Sequence, residues 1–237
     1  MRNHLLQRTA LALLVAIAVN GHAQLPPPAT VTQAGDSVVF SGRIDAPAVA
    51  KFLELLKDPA ITRLVINSGG GLVSPALDMA FAIHERQLDV EVPSVCVSSC
   101  ANYIFPAGRH KTLGRLGAVA WHGNMAHVLY LQQTGQASWS RKEVEDARQL
   151  ATQEAEFFGR IGVDGFVCWF AKIAPYNLED FYYLSVEDME RFGIGSVTVR
   201  EQSPPMQETE GARLVRVDWK TLEADRPAVP FSAPLSR

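Results

Sequence analysis

Three short stretches of the chain hold residue types that could do acyl-transfer chemistry. Gly69-Gly70-Gly71 follows Ile66-Asn67-Ser68. Glycines let the backbone take positive φ and come close to a ligand, so N–H groups can be aimed at a developing negative charge. Ser98 and Ser99 stand between Val95-Cys96-Val97 and Cys100-Ala101. Ser99 is expected at the N-terminus of a short helix, exposed above a strand end, where free N–H groups and the helix dipole can stabilise an oxyanion. Ser98 is the candidate for a plain helix cap. His122 lies in Trp121-His122-Gly123. A serine needs a base to become a nucleophile, and histidine is the usual one. Each stretch alone has an ordinary explanation as a turn, a cap or a solvated ring. Their order says more: Ser99 follows Gly71 by 28 residues, and His122 follows Ser99 by 23.

The elements that must position these residues read as β-α-β-α-β. Ser37–Phe40 with Gly42 and Ile44 is a strand pattern. A helix capped by Asp45, with Pro47 in its first turn, carries the apolar stripe Val49, Phe52, Leu53, Leu56. Ile61 to Ile66 is a buried strand that ends at the glycines, and a helix over about 75–87 follows with Ser74 as its cap. Val90 to Val97 contains the strand that delivers Ser99. A short helix then runs to Phe105 and stops at Pro106, and Ala118–Trp121 is a strand that delivers His122. Alternating strands and helices predict an α/β fold with a mostly parallel sheet. Sites in such sheets gather at the carboxyl ends of the strands, where all three stretches would meet. Further on, residues 125–139 read as a polar surface loop, and Ser140-x-x-Glu143 as a capping box that opens a helix with the stripe Val144, Ala147, Leu150, Ala151, Ala155, Phe158. A second helix is expected over Gly165–Ile173 and a short one after Ser185, with strands at Val197–Val199 and Leu214–Val217.

Bulk properties bound the function. Arg2 and Arg8, the apolar run Ala10–Val19 and Gly21-His22-Ala23 make a cleavable signal peptide over residues 1–23. The run is about half the roughly 20 residues that span a bilayer, and no later stretch predicts a membrane span. A linker over 24–35, a single domain over 36–200 and an extension over 201–237 complete the organisation. Without residues 1–23 the chain keeps 20 basic and 25 acidic side chains, which argues against a nucleic-acid partner. No His-x-x-x-His or Cys-x-x-Cys pair suggests a metal, and no dinucleotide or phosphate-loop fingerprint suggests a cofactor. Export implies an oxidising compartment, periplasmic or extracellular. Cys96, Cys100 and Cys168 allow one disulfide. The pairing cannot be read from sequence, and Cys96–Cys100, neighbours in the chain, is the first pair to expect.

These motifs resemble the Clp protease proteolytic subunit and, more broadly, the superfamily it shares with the crotonases. Ile66-Asn67-Ser68-Gly69-Gly70-Gly71 is similar to that family's Ile-Asn-Ser-Pro-Gly-Gly, with Gly69 in place of Pro. Ser99-Cys100-Ala101-Asn102-Tyr103-Ile104-Phe105-Pro106-Ala107-Gly108 resembles its nucleophile helix, and Tyr183-Leu184-Ser185 with Phe192-Gly193-Ile194 resembles a later segment. The resemblance implies a ββα superhelix and a serine peptidase acting on a peptide or protein. Ser99 would be the nucleophile, His122 the base, and the N–H groups of Gly71 and Cys100 the oxyanion hole, with Gly69 and Gly70 lining the substrate site. The family's Asp falls by count on Phe181; Asp180 is the adjacent candidate, with Asp164 and Glu179 behind it. The resemblance also implies trimer-based self-association and no cofactor. The alternatives are an acyl-thioester enzyme of the crotonase type and an inactive hydrolase fold that binds without turnover. A Ser–Lys pair would have to use Lys111, which nothing in the sequence marks as a base.

Overall fold

A computed structural model describes residues 28–114, 117–200 and 214–218. The expected signal peptide, residues 1–23, lies outside the described residues. The main sheet has six strands in the order β1-β2-β3-β4-β6-β9. They are β1 (Thr30–Ala34), β2 (Ser37–Ser41), β3 (Arg63–Asn67), β4 (Asp89–Val92), β6 (Lys111–Leu113) and β9 (Val197–Val199). β1 and β2 form an antiparallel hairpin, and every other pairing in this sheet is parallel. The fold therefore begins ahead of residue 36, because β1 lies inside the span expected to be linker.

After β2, β3, β4 and β6 the chain adds a short rung to a second layer. Ile44 bridges Gly71, and Ser68 bridges Cys96. β5 (Val95–Val97) then pairs in parallel with β7 (Ala118–Ala120). Trp121 bridges Tyr182, and β8 (Phe181–Tyr183) pairs with β10 (Leu214–Arg216), the expected strand of the extension. Strand, rung and helix repeat along the chain, which is the ββα winding with a mostly parallel sheet that was expected. The motif residues Asn67 and Ser68 build the corners. Asn67 Oδ1 accepts from the N–H of Ser94 and of Val95, at 2.9 and 3.2 Å, and Ser68 Oγ donates to Gly42 O at 2.7 Å. The apolar run 90–97 is thus two strands, broken at Pro93-Ser94 where the chain changes layers.

Helices follow the rungs. α1 (Ala46–Leu55) is capped by Asp45 as expected. α2 (Val73–Glu85) starts ahead of Ser74, which is inside the helix and not its cap. A π-helix over Cys100–Ile104 runs into α3 (Phe105–Ala107). Pro106 is thus within this helix instead of ending it ahead of residue 106. A proline has no N–H to give to the preceding turn; the carbonyl of Ala101 is taken by Trp121 Nε1 at 3.2 Å. α4 (Met125–Gln133) replaces the expected loop at 125–139. α5 (Arg141–Ile161) opens on the expected capping box and crosses α2 and α4. Two short 3-10 turns, Gly165–Cys168 and Phe170–Lys172, stand where one helix was expected, and α6 (Val186–Arg191) is capped by Ser185. One core joins the layers; its largest fully buried side chains include Trp121, Trp169, Tyr103, Tyr182, Phe40 and Phe52.

Candidate active site

Ser98, Ser99, His122 and the glycine loop meet at the carboxyl end of β5. The pairing differs from the expectation at one residue. Ser98 Oγ lies 2.8 Å from His122 Nε2. Ser99 is buried, 4% exposed, and its hydroxyl donates to Gly71 O at 2.9 Å. The hydroxyl facing the histidine therefore belongs to Ser98, and Ser99 holds the turn to the glycine loop. The physical reason is the π-helix. A π turn holds one residue more than an α turn, so counting back from Ala107-Gly108 through an α-helix arrives one residue late, at Ser99.

Ser98 sits at φ +57°. A non-glycine residue there costs about 1–3 kcal/mol and persists only where its surroundings over-determine it. Two constraints do so. The Cys96–Cys100 disulfide, expected from the sequence, closes over the turn with its Cα atoms 5.1 Å apart. Beneath it, Gly70 at φ +90° lies so close that a Cβ would fall 2.7 Å from Ser98 Cβ and 2.9 Å from Ser99 N. The result is a sharp strand-to-helix turn that lifts the hydroxyl clear of the backbone. Cys168 is the free cysteine, buried, with burial raising its thiol pKa well above the ordinary range.

Backbone donors gather at the start of the helix beside Ser98. The N–H of Asn102 bonds Ser98 O at 2.8 Å, so Ser98 accepts the first turn of the helix. The N–H groups of Ser99, Cys100 and Ala101 open that helix, where intrahelical acceptors are lacking. In the glycine loop, Ile44 N bonds Gly70 O and Leu72 N bonds Ile44 O, at 2.9 and 2.8 Å. A residue's own N–H and C=O leave an extended chain on one side, so those of Gly71 face away from Ile44. Its carbonyl meets the Ser99 hydroxyl there. A Cβ on Gly71 would fall 1.9 Å from Ile44 O, which forces glycine at this position. Gly70 N is committed to Ser68 Oγ at 3.0 Å. Gly69 is open: a Cβ there meets nothing within 4 Å.

His122 keeps a solvent-exposed edge while its ring packs on Phe181, centroids 4.5 Å apart. Burial, and next the Lys172 ammonium, hold its pKa below the ordinary histidine range. Phe181 is the position that the resemblance gives to the acid, and it does lie against the imidazole, as a ring in place of a carboxylate. Asp180 does not take over that role. It sits at a bend ahead of β8 and is tied through its backbone, Lys172 Nζ donating to the carbonyls of Asp180 and Glu179 at 2.7 and 2.8 Å, while the His122 pKa is set by burial and Lys172 and not by Asp180. Asp164 caps the turn at Phe166. His127, read as part of a polar loop, is stacked on Trp169 at 5.4 Å, and burial, Lys172 and His122 lower its pKa to about 4. Among the described residues no cluster of three or more His, Cys, Asp or Glu could hold a metal ion, and no helix is long and apolar enough to cross a membrane.

No protein-family model matches the chain, and no curated protein does. Among solved structures, it is similar to methylmalonyl-CoA decarboxylase, with a TM-score of 0.29 and 8% identity over 36% of this chain and 44% of that one. It is similar also to methylmalonyl-CoA decarboxylase complexed with 2S-carboxypropyl-CoA, with a TM-score of 0.28 and 11% identity over 36% and 45%. The match spans less than half of either structure, and likenesses of this size carry no argument about chemistry.

Proposed function

We propose that this chain is a serine hydrolase in which Ser98 is the nucleophile and His122 its general base. The observation that carries this reading is the 2.8 Å contact between Ser98 Oγ and His122 Nε2 on a positive-φ turn. In the reaction, Ser98 Oγ adds to a carbonyl carbon while Nε2 takes the hydroxyl proton. The N–H groups of Ser99 and Gly71 face the oxygen that gains charge, with Ser99 replacing the Cys100 donor expected from sequence. The imidazolium returns its proton to the leaving group, and water then releases the acyl group by the same steps. A lowered His122 pKa keeps the base neutral near pH 7.

A peptide is the proposed acyl donor, on the strength of the sequence resemblance. Export with cleavage after Ala23 belongs to the same reading, and the Cys96–Cys100 bridge supports an oxidising compartment. Self-association in trimers is the further expectation from the resemblance, to be read by analytical ultracentrifugation. The deciding experiment treats the purified chain with a serine-directed fluorophosphonate and maps the adduct. An adduct on Ser98 that is absent from Ser98→Ala is expected. An adduct on Ser99 would reverse the assignment.

The site also supports a second reading. A strand-end glycine loop and a histidine whose ring packs on Phe181 suit a crotonase-type acyl-thioester enzyme, in which N–H groups hold an enolate oxygen and no serine is acylated. Turnover of acyl-coenzyme A thioesters without serine labelling would select it. Neither labelling nor turnover in the folded protein would leave a binding module.

A further inference from the structure

Three consecutive residues beyond the serine turn are tied to the segment that carries His122, two directly and the third through Glu154. Ala101 O accepts from Trp121 Nε1 at 3.2 Å, and Asn102 Nδ2 donates to Gly123 O at 2.9 Å. Tyr103 OH donates to Glu154 Oε1 in a short contact. The Glu154 carboxylate in turn accepts from Met125 N at 3.1 Å and Ala126 N at 3.3 Å. Those are the first two N–H groups of α4, which begins directly after His122-Gly123-Asn124. Asn124 caps the third N–H, that of His127, at 3.1 Å. The first turn of α4 is therefore satisfied partly by its own cap and partly by a carboxylate from a different helix.

Glu154 is 2% exposed, in the middle of α5. It occupies a core-facing position on the stripe Ala147, Ala151, Phe158. A carboxylate in such a place costs stability, and an apolar residue of similar size often does better. Burial raises its pKa to about 7, against the pull of its donors, and the Cys168 thiol is a further ionisable group close to Tyr103. Packing alone gives no account of a glutamate here. Its partners do: one is on the helix that follows Ser98, and two are in the segment that follows His122.

We infer that Glu154 is a positioning residue for the Ser98–His122 pair, joining the helix that starts at Ser98 to the segment that leaves His122. It does not touch the reacting atoms. It fixes the distance between two elements whose side chains must stay within hydrogen-bond reach, and it does so where Phe181 stands in place of an orienting acid. The inference rests on the reading of Ser98 and His122 as a reacting pair.

The test measures fluorophosphonate labelling of the full chain as a maximal rate and a half-saturating concentration. Glu154→Gln should lower the maximal rate about tenfold to a hundredfold, the scale of a misplacement of about 1 Å, and leave the half-saturating concentration within about threefold. Phe52→Leu, in the core away from the site, supplies a control matched for melting temperature; it should label at the wild-type rate. Tyr103→Phe should lose part of the same rate, and Tyr103→Phe with Glu154→Gln should be no slower than Glu154→Gln alone. Amide exchange gives a second readout. The N–H groups of Met125 and Ala126 should exchange faster in Glu154→Gln, while those of α1 do not change. Equal loss of rate in Phe52→Leu and Glu154→Gln, or unchanged exchange at Met125 and Ala126, overturns the inference. A wild-type chain that never labels overturns the hydrolase reading instead, and exchange alone then decides whether Glu154 holds this segment.

Discussion

The two ends of the helix from Cys100 to Ala107 each carry a polar group in an unusual setting, buried Lys111 at one and half-buried Ser98 at the other, and they are built differently. At the far end, Lys111 Nζ donates to Gly108 O at 2.7 Å, and burial lowers the lysine pKa to about 8. A cation beside the last carbonyls of a helix is an ordinary way to satisfy them. At the near end, Ser98 is held at φ +57°, bridged over by a disulfide and set against an imidazole, among N–H groups that the helix leaves without acceptors. Titration alone would make Lys111 the better candidate for a catalytic base. Geometry removes it, because about eight residues of helix at 1.5 Å each separate it from Ser98. A shifted pKa marks burial; a strained turn with unused donors and a facing base marks chemistry.

The largest expected effect breaks that comparison if it fails. Ser98→Ala should cut labelling and hydrolysis by about a thousandfold or more with the fold intact. Ser99→Ala loses a neutral hydrogen bond to Gly71 O, worth about 1 kcal/mol, so a loss of about tenfold at most is expected. Lys111→Met should leave the rate within about twofold. It changes stability instead. The folded lysine has a pKa near 8 against 10.5 unfolded, so between those values the unfolded chain binds the extra proton and wild-type stability rises with pH. Any advantage of Lys111→Met at pH 7 should therefore shrink as the pH passes 8. Chemical denaturation at pH 7 and 9 reads it.

His122→Ala should fall nearly as far as Ser98→Ala, and the pH profile sharpens the reason. The base must be neutral, so labelling falls as pH drops through the His122 pKa. Burial and the Lys172 ammonium lower that pKa, so the acid limb should lie below the ordinary histidine value of about 6.5. Lys172→Met removes the cation and should move the limb upward. An unmoved limb would mean that another group controls the rate.

Much of this architecture is legible in the residues. The stripes of α1 and α5, the β-branched run before Gly69 and the Cys96–Cys100 pair each obey a local rule. What escaped depends on partners far along the chain. α4 looks like a loop because the carboxylate on its first turn, Glu154, lies 29 residues after Met125. Glu154 itself is hidden in the sequence because a charged residue breaks a stripe, although it stands three positions after Ala151 and four before Phe158. The π-helix leaves no pattern in composition, and it moved the serine by one place. Pro106 is the available sign: the sequence ends the helix there, yet the structure carries it on through the proline, and a proline inside a helix often marks an irregular turn.

Opening the disulfide should have a moderate effect. Closing a loop of about five residues restricts the unfolded chain by about 2 kcal/mol, similar to the about 1–3 kcal/mol stored at a positive-φ serine. The clamp and the strain are thus of one size, and neither dominates. Cys96→Ala with Cys100→Ala should lower the labelling rate about tenfold and the melting temperature by several degrees. A fall in melting temperature with an unchanged rate would show that Gly70 and Ser99 hold the turn unaided.

Asp180→Asn should also have a small effect, and it is informative because the sequence points toward a large one. Removing the acid of a Ser-His-Asp triad costs about four orders of magnitude, through loss of the imidazole's tautomer and orientation. In this chain the residue against His122 is Phe181, and Asp180 meets Lys172 through its carbonyl, which Asn keeps. Labelling should therefore change by no more than about threefold. The acid limb should keep its place, because burial and the Lys172 ammonium, not Asp180, set the His122 pKa. Phe181→Ala should cost more than Asp180→Asn, since it frees the ring that the structure stacks at 4.5 Å. If Asp180→Asn instead lost three orders of magnitude, the carboxylate would have to swing to His122 in the reacting state, and the near end of the helix would be a triad after all.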